Sequence, residues 1–187
     1  MNARTISESS ARTKGTKIMI IFKTTRDTLK DLNAKPETIE HTDSFFSWHV
    51  NLFKLYGRKH YVFMNDFSRL SLTVTGIRTN QANKLREIFK DNLEAYFAVE
   101  EIPDTLAQYY LERCSEKAIT KTDSRSVIST MNEIMLVMKT LESENEDFRD
   151  QALRHKWNNR FIYKPIDYKY PIDVFVKELE RRFKNEN

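Results

Sequence analysis

One change of hydrophobic period organises this chain. Between Ile18 and Thr75 the apolar residues fall mainly in short β-branched or alternating runs, whereas from Thr79 they recur at helical spacing. Strands gathered ahead of helices predict an α+β fold, a small, mostly antiparallel sheet with several helices packed against it. The run from Ile18 to Phe22 reads as a buried strand, and Leu29 with Leu32 marks a short amphipathic helix. Residues 49–56 and 59–65 form a β-hairpin around a Gly57-Arg58 turn, and 70–75 is a third strand closed by Gly76.

The second half is helical. Ala82, Leu85, Ile88, Phe89, Leu93, Tyr96 and Phe97 make one stripe, and Pro103 opens a further helix towards Cys114. Residues 118–121 read as a short strand or connector. Val127, Ile128, Met131, Ile134, Met135, Met138 and Leu141 give the clearest apolar stripe of all. The acidic stretch 142–150 leads to a short helix, and 161–170 reads as extended. Pro171 opens a last helix. Residues 1–17, basic and poor in apolar side chains, read as a flexible tail, leaving 18–187 as one α+β domain. Within that domain, 154–187 reads as an extended segment plus the C-terminal helix.

Composition excludes several classes. Only three Gly and four Pro stand in 187 residues, unlike a collagen or a linker. No apolar run approaches the roughly 20 residues that span a bilayer, so no membrane association is expected. A single cysteine, Cys114, cannot form an internal disulfide framework or a cysteine zinc cluster, which suits a reducing, cytoplasmic setting. His41, His49, His60 and His155 show no ligand-type spacing, so neither a metal site nor a cofactor is expected. The net charge of +4 is too small to imply nucleic acid by itself.

Three polar constellations stand out. Thr122-Asp123-Ser124-Arg125-Ser126 precedes the strongest helix stripe. These residues can cap the first helical turn, or the free amides and Arg125 can hold a phosphate or carboxylate. Capping alone explains the hydroxyls. Asn132 lies about two turns on and, if buried, needs a partner. In the second, a Gly57-Arg58 turn sets His49 opposite Asp66, Asn51 opposite Met64 and Phe53 opposite Val62. A His49–Asp66 pair is either the orienting half of an acid–base site or a structural stitch between strand ends, and the stitch is favoured because no nucleophile is evident. The third is the basic–aromatic segment 154–170, in which Arg154, Lys156, Arg160, Lys164 and Lys169 alternate with aromatic residues. Exposed, it would suit phosphates and bases; the commoner arrangement buries the aromatics. No glycine-rich phosphate loop or hydrolase elbow occurs.

The runs Trp48-His49-Val50-Asn51-Leu52-Phe53 and Arg58-Lys59-His60-Tyr61-Val62-Phe63-Met64-Asn65-Asp66 resemble a small bacterial family of intracellular domains of unknown function. So does Lys121-Thr122-Asp123-Ser124-Arg125-Ser126-Val127 with Met131-Asn132. The family pattern reads Trp-His-Ala-Asn, a basic hairpin turn, Val-Leu-Phe-x-Asn, and Arg-Ser-Val-x-Gly-Ser-Met-Asn. Here Val50 replaces the alanine, and Ser129-Thr130 stand where Gly-Ser is expected. The resemblance implies a prokaryotic, cytoplasmic α+β protein and brings no substrate, cofactor or partner with it. It suggests that His49, Asn51, Asp66, Arg125 and Asn132 surround one pocket. The leading expectation is a non-enzymatic binding or interaction protein that recognises an anionic small molecule or a macromolecular partner through Ser124, Arg125, Ser126, Asn51 and Asn132. The alternatives are nucleic-acid association in a phage, plasmid or defence setting, and an enzyme on a phosphorylated or nucleotide substrate using His49 and Asp66.

Overall fold

A computed structural model describes residues 19–55, 57–141 and 150–186. The expected tail at 1–17 and most of the acidic stretch 142–150 lie outside the described residues. The fold is α+β. Five strands, β1 (Ile20–Thr24), β2 (Ser47–Leu55), β3 (Arg58–Asn65), β4 (Ser71–Thr75) and β5 (Lys117–Lys121), form one sheet in the order β4-β3-β2-β1-β5. The hairpin half is antiparallel, as expected, but β1 pairs in parallel with both β2 and β5. The sheet is therefore mixed. The connection from β1 to β2, which includes helix α1 (Arg26–Leu32), is long enough for the crossover that a parallel pair requires.

The hairpin register differs from the sequence expectation by two residues. Leu55 pairs with Arg58, and Gly57 takes φ +75° between them. His49 therefore faces Met64, Asn51 faces Val62 and Phe53 faces His60. Side chains alternate with period two, so a shift of two changes partners but leaves every residue on its expected face.

Alternation sorts the strands between two apolar clusters. Ile20, Phe22, Trp48, Val50, Tyr61, Phe63, Leu72 and Val74 face the larger one. Helices α2 (Leu85–Val99), α3 (Asp104–Arg113) and α6 (Pro171–Glu186) complete it with Phe89, Tyr110 and Phe175 among others. Within it the buried Trp48 indole donates to the Tyr110 hydroxyl at 2.9 Å, which donates to the Phe45 carbonyl at 2.8 Å. On the opposite face Phe53, Leu55, Val62 and Met64 meet Val127, Met131, Ile134 and Met138 of α4 (Arg125–Leu141). Tyr163 and Ile166 close that cluster. Around Pro165 the segment expected to be extended instead makes a 3-10 turn at Lys164–Ile166, because proline's fixed φ suits a first helical position.

The β4 edge is sealed along its length, and the β5 edge is engaged at one residue. At β4, helix α5 (Gln151–Asn158) and its C-terminal neighbour Asn159 present acceptors to alternate strand amides. Thr75 N–H donates to Gln151 Oε1 at 2.7 Å, Thr73 N–H to His155 Nδ1 at 3.2 Å and Ser71 N–H to Asn159 Oδ1 at 2.7 Å. Four helical residues rise about 6 Å and two strand residues about 6.7 Å, so the side chains replace a missing neighbour strand almost in step. At β5, Glu37 donates its N–H to the Ile119 carbonyl at 2.7 Å and accepts the Ile119 N–H at its carboxylate at 3.3 Å.

Candidate functional site

The parallel register sets Lys23 of β1 beside His49 of β2 on the face that carries α4. Asp66 follows the end of β3 on that same face. It is held by its own N–H donating to the Ser47 carbonyl at 3.0 Å and by Asn65, whose side-chain oxygen accepts from Ser68 N–H at 3.0 Å. Asp123 comes from the loop between β5 and α4. Three strand ends and one helix start thus bring four ionisable side chains together.

Their contacts form a chain. His49 Nδ1 lies 2.5 Å from Asp66 Oδ1 and donates its hydrogen there. Lys23 Nζ is 2.9 Å from Asp66 Oδ2 and 2.7 Å from Asp123 Oδ2. His49 Nε2 is 3.4 Å from Asp123 Oδ1. The His49 ring is wholly buried and Lys23 and Asp66 nearly so, while the Asp123 side chain is 57% exposed. Burial alone would raise the Asp66 carboxyl, but the bonds and charges of His49 and Lys23 outweigh it and hold the group below the usual carboxylate range. Burial would likewise lower Lys23, yet the two carboxylates outweigh it and keep the ammonium charged.

Asp123 links this network to two open clefts. One, of about 470 Å³, is lined by Thr122 to Arg125 with Ile128, Ser129 and Asn132. The other, of about 400 Å³, includes Lys23, Thr120 and the chain from Pro36 to Ile39. Ser124 caps α4, its hydroxyl accepting from Val127 N–H at 3.3 Å. Ser126 offers its carbonyl to the Thr130 hydroxyl at 3.2 Å and does not line the cleft. Arg125 is exposed and has neither a hydrogen-bond nor an ion-pair partner among the described residues. Asn132 is exposed on the cleft wall rather than buried.

The five residues expected around one pocket therefore divide. His49 and Asp66 touch directly, and Arg125 and Asn132 line the adjoining cleft. Asn51 does not join them. It lies two residues further along β2, where its side-chain oxygen accepts from the Thr25 hydroxyl at 2.9 Å. Two members of the network escaped sequence reasoning. Lys23 is the last residue but one of a buried strand, where a lone charge calls for an acid, and Asp123 was read only within the cluster at the start of α4, as a cap or part of an anion site. Neither ligand spacing nor helix periodicity reports on side chains that meet across separate strands.

The basic–aromatic segment is largely internal at its start. Arg154 is 2% exposed and donates from Nε to the Thr73 hydroxyl at 2.7 Å and from its guanidinium to the Thr73 carbonyl. Residues 151–158 are helical, so the expected extended segment begins only after Asn159. Lys156 is exposed and reaches the Val99 carbonyl at 3.3 Å, while Arg160 pairs with Glu100 at 2.5 Å. Lys164 and Lys169 are exposed, as are Tyr168 and Tyr170.

The molecule is thus an α+β domain whose mixed sheet carries a buried charge network beneath the start of α4. Residues 21–174 match a domain of unknown function, DUF6933, and the chain belongs to that family. No curated protein matches it. Among the described residues no helix is long and apolar enough to cross a membrane.

Proposed function

We propose that this protein is a non-enzymatic binding protein of the bacterial cytoplasm that takes a small anionic ligand into the cleft at the start of α4. The observation that carries the reading is Arg125. Among the described residues its guanidinium has no partner, and it stands at a cleft of about 470 Å³ beside the first turn of a 17-residue helix. A free planar fork and helix N-terminal amides both favour phosphate or carboxylate. Ser129 and Asn132 on the same wall add neutral hydrogen-bonding groups, and Lys23 offsets the negative charge of Asp123.

The acid–base reading draws support from the 2.5 Å contact between His49 and Asp66. It is the weaker of the two, because the His49 ring is wholly covered and Ser124 is engaged as a cap. Cys114 offers no nucleophile either, since burial pushes its thiol up to about 12. Nucleic-acid association through 154–170 would rest on Lys164, Lys169 and the exposed tyrosines, with Arg154 occupied inside.

Thermal melting tests the proposal. Wild type and Arg125→Ala are melted with inorganic phosphate, nucleotides, dicarboxylates and short oligonucleotides. A true ligand at about a hundredfold excess over its Kd raises the melting temperature of wild type by about 5–10 °C. Arg125→Ala should lose that rise while melting at its own unliganded temperature. If no anion moves wild type, the reading is wrong.

A further inference from the structure

One polar atom of the buried network is left without a hydrogen bond. Both oxygens of Asp66 are engaged, one by His49 Nδ1 and one by Lys23, and Asp123 Oδ2 is engaged by Lys23 as well. What is left is His49 Nε2, wholly buried and without a hydrogen-bond partner, 3.4 Å from Asp123 Oδ1. With Nδ1 directed at Asp66, Nε2 is the ring atom open to a further partner, and a cation seated between it and Asp123 Oδ1 would engage both atoms.

We infer that His49 Nε2 and Asp123 Oδ1 are the protein's half of a binding site for a divalent transition-metal ion of the zinc type. Three features support the assignment. A tetrahedral zinc site with bonds of about 2.1 Å has ligand–ligand edges of about 3.4 Å, the separation found here. Asp66 grips the other ring nitrogen in the manner of carboxylates that fix the tautomer and orientation of metal-binding histidines. Ligand atoms of His49, Asp66 and Asp123 lie within 4.8 Å of one another, the one such group of His, Cys, Asp or Glu found among the described residues.

The donor set selects the ion. One imidazole with one carboxylate suits Zn²⁺, Co²⁺ or Ni²⁺ better than Ca²⁺ or Mg²⁺, which prefer all-oxygen shells. Two protein ligands leave the other positions to water or to a molecule in the clefts, both of which Asp123 lines. Lys23 need not leave, since it holds the other oxygen of Asp123, but its nearby ammonium opposes a second cation. Weak, reversible binding is therefore expected rather than a permanently held structural metal.

The test is a Zn²⁺ titration of the full chain, followed by calorimetry and by the ring-nitrogen NMR signals of His49. A His41→Ala background removes the exposed histidine. One ion should bind, and the His49 Nε2 signal should move with it. Asp123→Asn should abolish binding; because that side chain is more than half exposed, the variant should keep the wild-type circular dichroism spectrum. Arg125→Ala should bind Zn²⁺ as wild type does, which separates this site from the anion cleft. The inference is overturned if folded wild type binds no Zn²⁺; hydrogens on both ring nitrogens of His49 would then show that a proton fills the gap. Zn²⁺ binding that persists in Asp123→Asn would overturn it equally.

Discussion

Two buried polar clusters, each built around a histidine, lie in this protein and use it differently. At the β4 edge, His155 Nδ1 accepts a backbone N–H from Thr73, flanked by Gln151 and Asn159 doing the same for Thr75 and Ser71. Beneath α4, His49 donates to Asp66 and faces Asp123 within a group of four ionisable side chains. Each histidine has one nitrogen without a hydrogen-bond partner. In His155 that nitrogen carries the hydrogen, since Nδ1 accepts, and the ring meets Tyr96 edge-on at 5.8 Å and 89°. In His49 it meets a carboxylate that opens to solvent. The first cluster spends its polar groups on the backbone and is architecture. The second leaves His49 Nε2 without a hydrogen-bond partner beside the half-exposed carboxylate of Asp123.

Removing one charge should damage the second cluster most. Asp66→Ala strands Lys23 and His49 together without their shared carboxylate, and breaking a buried ion pair this way costs about 3–5 kcal/mol. Urea unfolding at neutral pH measures it. A loss under about 1 kcal/mol would mean that water already enters the network.

Acid should separate the two regions. Burial pushes His60 down to about 4, with the Arg154 and Arg58 charges adding to the effect, and burial with Arg154 also holds His155 well below the ordinary histidine range. The unfolded chain takes up protons near pH 6.5 that the folded chain refuses, so stability falls as pH drops from about 6.5 towards 4. His60 alone accounts for about 3 kcal/mol of that loss. Asp66 acts in a lower window. Its folded carboxyl is depressed, so its contribution is complete above the ordinary carboxylate range and disappears only as pH falls through the depressed value. Unfolding free energies at successive pH values should therefore fall in two stages, histidines first, and Asp66→Asn should shrink the second, to which the depressed carboxyls of Asp31 and Glu178 also contribute, while leaving the first in place.

Asn159→Ala attacks the edge seal with a smaller effect. It removes the acceptor for Ser71 N–H and the donor to the Ser71 carbonyl at 2.8 Å, leaving both buried groups unsatisfied for about 2–3 kcal/mol. Calorimetric melting should show the loss, and ligand and Zn²⁺ binding should be unchanged.

The two regions also differed in how far the sequence revealed them. Strand and helix periods carried the hairpin, the α2 stripe and the α4 stripe, because burial on one face imposes a repeat that composition displays directly. Turn chemistry was less decisive around Gly57, and the register slipped by two. The period of two still kept His49 and Asp66 on one face, so their pairing survived as a diagonal neighbour contact. Lys23 and Asp123 were missed because nothing local marks a contact between residues 100 positions apart. The edge seal was not anticipated: Arg154 was expected among the basic side chains of the 154–170 segment, whereas it and His155 are buried. The available signal was the four-residue spacing of Gln151, His155 and Asn159, hydrogen-bonding side chains on one helical line.

The smallest expected stability effect belongs to Arg125. Its side chain is exposed and has no ion-pair partner among the described residues, so Arg125→Ala should alter unfolding free energy by no more than about 0.5 kcal/mol. Chemical denaturation checks this, and the comparison depends on it. Among the described residues the Arg125 guanidinium has no hydrogen-bond or ion-pair partner, unlike Arg154, which is bonded to Thr73 through two of its nitrogens. If Arg125→Ala instead costs as much as Asn159→Ala, the residue belongs with the scaffold. If it costs nothing and removes an anion-dependent rise in melting temperature, the cleft beside α4 is where the molecule meets its ligand.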